Sequence, residues 1–203
     1  MTTPRDLSII AVDAGAGRAV EPGDLSLALA GAEVIDLLAA GVLVLDGDRL
    51  VPGERRPPAD RLLSEAAASL VRQEPYESVE DWLWRRGRGL SEVYQGVLVS
   101  EGDLVRRRRR WVPVRSGRPE PAGSPAGRHA AGRWASGEPV LAALAAAAGI
   151  RDRAAGGEGA PGITDEAVLT VLAAVNEAVV ELESVRQRRT VEKAAFDNIW
   201  RGA

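Results

Sequence analysis

Asp24-Leu25-Ser26-Leu27-Ala28-Leu29-Ala30-Gly31-Ala32-Glu33-Val34-Ile35-Asp36-Leu37-Leu38-Ala39-Ala40-Gly41 is the stretch that decides how this chain folds. Leu27, Leu29, Ala30, Val34, Leu37 and Leu38 crowd one side of a helix, Asp24 stands in the N-cap role after Pro22-Gly23, and Gly41 stops it. Val42-Leu43-Val44-Leu45, a turn at Asp46-Gly47-Asp48 and Leu50-Val51 then read as a β-hairpin. Helix followed by hairpin is also a winged-helix pattern. Downstream, a loop over 52–58 leads to Asp60, which caps a helix running to Arg72 with Leu62, Leu63, Ala66 and Leu70 inward. Ser78 caps another, and Asp81 three residues on makes a weak capping box. Trp82 and Trp84 follow, and the Gly87-Arg88-Gly89 break precedes a helix over Leu90–Ser100, ended by Gly102. An alanine-rich helix is predicted over 139–148. Thr164 caps a long last helix, with Ile163 and Val168 as a hydrophobic staple and helical spacing kept to about Ala195. At the other end, 6–12 predicts a short strand and 13–17 a turn. The expected fold is mainly α: one domain over 1–203, a compact helical globule with short β-hairpins, one of them basic and protruding. A Gly/Pro/Ala/Arg-rich insert at 115–137 is expected to be mobile, and 151–162 to be a linker.

Composition excludes several chemistries. The 203 residues contain no cysteine, which removes disulfide scaffolds, thiol catalysis and cysteine-based metal sites, and one histidine, His129, which removes multi-histidine centres. His129 lies in the insert expected to be mobile, where general-base geometry is not held. Asp46/Asp48 and Asp165/Glu166 are paired carboxylates, but they read as a hairpin turn and a helix start. Ile9 to Gly17 resembles a strand entering a phosphate-binding glycine loop, yet it lacks the Walker lysine and has Val20 where the dinucleotide fingerprint needs glycine. No enzyme is expected, and no metal or cofactor. No apolar run is long enough to span a bilayer and the first residues lack the shape of a secretory signal, so a cytoplasmic location is expected.

Charge is unevenly placed. From Trp82 to Arg133 twelve arginines face four acids, a local charge of +8 in a chain whose net charge is −3. Such a basic region suits a polyanion: anionic lipid, nucleic acid or an acidic partner. Its densest part is Arg106, Arg107, Arg108, Arg109 and Arg110, followed by Trp111, Val112, Pro113 and Val114. Pro113 confines that segment to a sheet edge or a loop.

The order of motifs resembles the Golgi phosphoprotein 3 family. The resemblance is carried by Leu25 to Leu37, the Leu43–Leu45 hairpin strand, Leu62-Leu63-Ser64-Glu65-Ala66, Val79-Glu80-Asp81-Trp82-Leu83, the segment from Leu98 to Leu104, and Phe196-Asp197-Asn198-Ile199-Trp200-Arg201, a tail similar to actinobacterial members. It implies a helical globule with a protruding hairpin that also mediates self-association. It further implies a non-catalytic peripheral adaptor that binds phosphatidylinositol 4-phosphate and holds the tails of client proteins. The family's pocket positions fall here on Glu21, Ala30, Arg88, Ser91 and Glu92, so of its basic residues only Arg88 is present. Arg85 and Arg86 are candidate substitutes.

Function is therefore expected to be binding of anionic phospholipid headgroups through a basic face, at the inner side of the membrane. The candidate lipid-binding residues are Arg88, Arg85 and Arg86; the candidate membrane-facing hairpin is Arg106 to Arg110 with Trp111 and Val112. Near an anionic surface each arginine contributes about 1 kcal/mol, and tryptophan favours the interface. The alternatives are a protein–protein scaffold without lipid binding and, less favoured, nucleic-acid binding. The helix that would read DNA carries Glu33 and Asp36 and no base, whereas phosphate contacts need cations.

Overall fold

The computed structural model describes residues 2–14, 20–56, 59–106, 119–121, 123–150 and 162–201. The structure is mainly α: among the described residues there are eight helices and two two-stranded antiparallel hairpins. Helix α2 (Pro22–Ala39) is its axis. It begins two residues before the expected start. Pro22 occupies the first helical position, where a missing N–H costs nothing, and Glu21 rather than Asp24 is the N-cap. It ends as expected. Gly41, at φ 66°, lets its own N–H reach the Leu38 carbonyl and the Val42 N–H reach that of Leu37, both at 2.9 Å.

The expectation of a one-sided apolar face is corrected. Every residue of 25–35 is buried, because α1 (Thr3–Ala14), α3 (Arg61–Ala68), α4 (Val79–Arg86), α5 (Leu90–Ser100), α7 (Pro139–Ala147) and α8 (Glu166–Arg201) surround α2. Gly31 is where α8 comes closest. A Cβ there would lie nearer to Val175 Cγ2 than real Cβ contacts allow. Gly31→Ala should therefore lower stability by about 1–3 kcal/mol, despite alanine's better helix propensity. Urea unfolding checks this; an unchanged midpoint would show that α8 is not pressed on α2.

The segment 6–12 is helix, not strand. Its Ile9, Ile10 and Val12 favour strands only weakly. Burial against α2, α6 (Pro125–Ala135) and α7 overrides that preference, and the Thr3 N–H at the start of α1 donates to Asp36 Oδ2 at 2.8 Å. The turn expected at 13–17 lies largely outside the described residues, and Asp13 and Ala14 are helical. Strands β1 (Leu43–Asp46) and β2 (Arg49–Pro52) pair as expected around Gly47-Asp48. This hairpin feeds α4: the Asp48 carbonyl accepts the Val79 N–H, and Leu50 N–H donates to Glu77, both at 2.9 Å. Asp60 caps α3 as expected, but the helix stops at Ala68 because Ser69 turns its N–H and hydroxyl back onto the last-turn carbonyls. Leu70 is buried all the same. Asp165, not Thr164, caps α8, accepting the Ala167 and Val168 N–H groups.

The largest correction concerns 115–137. It contains β4 (Pro119–Pro121), paired with β3 (Leu104–Arg106), and α6 (Pro125–Ala135) packed on α1. Few large apolar side chains are needed: Ala130 is buried, and Arg133 reaches the fully buried Asp6 carboxylate at 2.7 Å. His129 lies 3.3 Å from the same carboxylate, so it sits on a packed helix. Of the linker expected at 151–162, all but Gly162 lies outside the described residues.

Candidate functional site

A shallow groove of about 210 Å³ opens where the first turn of α2, the α4–α5 turn and α8 meet. Ser26 fixes one side of it. Its hydroxyl donates to the Pro22 carbonyl at 2.7 Å and accepts the Ser91 N–H at 3.0 Å, tying α2 to the start of α5. Gly87 allows the close approach: a Cβ there would fall 2.5 Å from the Leu83 carbonyl and 3.4 Å from Leu27. Gly89, at φ 68°, makes the reversal into α5. Between these glycines stands Arg88, exposed at the groove's rim. Trp84, Leu27 and Leu182 make its apolar wall.

The structure separates the three candidate arginines. Arg85 stacks on Trp82 at 5.1 Å and holds Glu77 through two bonds of 2.6 and 2.7 Å. Arg86 reaches from α4 to α2. It donates at 2.8 and 2.9 Å to the two oxygens of Glu33, whose side chain is fully buried, and the Tyr94 hydroxyl donates to Glu33 at 3.0 Å. Burial pushes the Glu33 carboxyl above its ordinary range despite both partners. Burial, and then the Glu33 charge, push the Tyr94 phenol up, so it stays a donor. Neither arginine is free to meet a ligand; both are bracing α4. Of the three, Arg88 is the one with no carboxylate partner among the described residues.

The positions expected to form a pocket are partly gathered here. Arg88 and Glu92 line the groove, and Glu21 precedes its first wall residue, Pro22. Ser91 is buried, its N–H on Ser26 and its hydroxyl on Glu92 at 3.0 Å. Ala30 lies in the core, its carbonyl accepting the Trp82 indole N–H at 3.2 Å. The groove thus offers one cation beside one carboxylate. A phosphomonoester takes two or more converging charge-assisted donors. The second candidate element is the β3–β4 hairpin, which pairs Leu104 with Pro121 and Arg106 with Pro119. Arg106 closes β3; Arg107 to Arg110, Trp111 and Val112 lie outside the described residues. Sequence reading missed the groove wall of Trp84, Leu27 and Leu182, although the two glycines around Arg88 were a usable signal.

The element order, from the α2 axis and its hairpin through the glycine turn and the second hairpin to the long last helix, is accompanied by a direct sequence match. The family model for Golgi phosphoprotein 3 (GPP34) matches residues 4–191. The chain belongs to the Golgi phosphoprotein 3 family. No curated protein matches it significantly. Among the described residues no helix is long and apolar enough to cross a membrane.

Proposed function

We propose that the protein is a peripheral adaptor that docks on anionic phospholipid surfaces through the basic β3–β4 hairpin. One observation carries this: β3 and β4 pair antiparallel, so the arginine run starts on the last residue of β3 and continues into the sequence that joins the two strands, and the base of the hairpin is anchored to the body by the buried Leu104. Near an anionic surface each arginine contributes about 1 kcal/mol. The groove beside Arg88 is a secondary contact. With Arg85 and Arg86 engaged by Glu77 and Glu33, headgroup selectivity of the phosphatidylinositol 4-phosphate kind has one direct cation to rest on.

Flotation with anionic and with neutral vesicles, in the presence and absence of a DNA fragment, tests the reading. Binding to anionic vesicles alone, not displaced by DNA, supports it. Binding to neither vesicle leaves a protein–protein scaffold, and displacement by DNA favours a nucleic-acid partner. Arg88→Ala should weaken anionic vesicle binding by about fivefold, one cation's share. If it abolishes binding, the groove rather than the hairpin is the lipid site.

A further inference from the structure

The groove beside Arg88 holds one charge of each sign. Of the residues that line it, Arg88 and Glu92 are the charged ones, and both are exposed. They stand four residues apart, the spacing at which a continuous helix pairs such groups, yet no ion pair joins them. Gly89 is the reason. Its φ of 68° breaks the helix between them, so Arg88 follows α4 while Glu92 stands in the first turn of α5. Glu92 has one oxygen engaged: Oε2 accepts the Ser91 hydroxyl at 3.0 Å, and among the described residues Oε1 has no donor. The neighbouring charges add no second free cation. Asp24 is held by Arg186 at 2.8 Å, and Glu21, next to the lining Pro22, is another acid.

A ligand matched to this groove carries one negative and one positive group. A phosphodiester has a single negative charge, which one guanidinium answers, whereas a phosphomonoester takes two or more converging donors. The positive group has to donate a hydrogen bond to be held by Glu92 Oε1, as a primary ammonium does and a quaternary one does not. Trp84, Leu27 and Leu182 offer an apolar wall to the glycerol end of such a ligand.

We propose that the groove takes the zwitterionic head of an ethanolamine phospholipid, its phosphodiester on Arg88 and its ammonium on Glu92. Resting on the reading of the protein as an adaptor that docks on lipid, this divides the work: the hairpin supplies charge-driven docking, and the groove selects a headgroup of no net charge. Helix α5 joins the two elements. The groove lies at its first turn and β3 follows its last, about 16 Å further on. Between them the exposed Val93, Gly96 and Ser100 share one face and carry no charge, so that face can lie against a bilayer with both ends engaged.

Flotation of the full-length chain on vesicles of fixed phosphatidylglycerol content tests this, the remaining lipid being either phosphatidylcholine or phosphatidylethanolamine. Surface charge is the same in both, so the hairpin contributes equally. Exchanging the choline lipid for the ethanolamine lipid should tighten binding by about fivefold, the share of one exposed ion pair. Arg88→Ala and Glu92→Gln should each bring that ratio to one. Excess glycerophosphoethanolamine should remove the gain, and glycerophosphocholine should not. A ratio of one in the wild type would overturn the proposal, as would equal competition by the choline compound. A gain that survives Glu92→Gln would also overturn it, since that gain would belong to bilayer packing. In each of these cases, continued binding to the phosphatidylglycerol vesicles leaves hairpin docking standing. Binding to neither vesicle would remove the docking reading and the groove's part in it together.

Discussion

Replacing Arg106, Arg107, Arg108, Arg109 and Arg110 by serine should abolish binding to anionic vesicles and leave the helical circular dichroism unchanged. Beside an anionic surface five cations together contribute about 5 kcal/mol, more than three orders of magnitude in affinity. The fold survives because β3 and β4 pair through their backbones and because the buried anchor is Leu104, which is untouched. Wild-type binding should fall as salt rises past physiological strength, where the Debye length drops below ~8 Å. Full binding by the serine variant would remove the hairpin from the mechanism; if Arg88→Ala also had no effect, the lipid reading would give way to the scaffold.

The second large effect is expected in the core. Arg86→Leu removes both guanidinium bonds from the buried Glu33 and leaves it only the Tyr94 hydroxyl. Breaking one side of a buried pair costs about 3–5 kcal/mol, because the other charge stays in a poor dielectric. The cost should depend on pH with a definite sign. Burial already raises the Glu33 pKa, so between the ordinary carboxylate range and that raised value the native state holds a proton the unfolded chain has released. Stability therefore falls as pH rises through this window. Without Arg86 the window extends further upward, so the variant should lose most at neutral pH and recover towards wild type as Glu33 is protonated in acid. Adding Glu33→Gln should recover part of the loss at neutral pH. Urea unfolding at several pH values decides this: a cost that is the same at pH 5 and pH 7 would mean that Glu33 does not carry it.

Much of the helical frame is determined by local sequence. Asp60 and Ser78 cap α3 and α4 through their own side chains, and Gly41 and Gly102 end α2 and α5 in left-handed backbone, so these boundaries follow from nearest neighbours. The same local logic was available and overlooked at Ser124-Pro125, where Ser124 caps α6 and Pro125 opens it. Only the tertiary structure decided the rest. The helical state of 6–12 depends on walls supplied by α2, α6 and α7, which outweigh β-branched preference. The fate of Arg85, Arg86 and Arg88 could not be read from the segment Arg85-Arg86-Gly87-Arg88, because it depends on partners outside that segment. Glu33, 53 residues away, captures Arg86, Glu77 captures Arg85, and the Gly87–Gly89 turn carries Arg88 out to the rim. Composition shows that the arginines are there; which of them faces solvent is set by where the fold buries its carboxylates, since a buried charge must be matched before any ligand can compete for its partner.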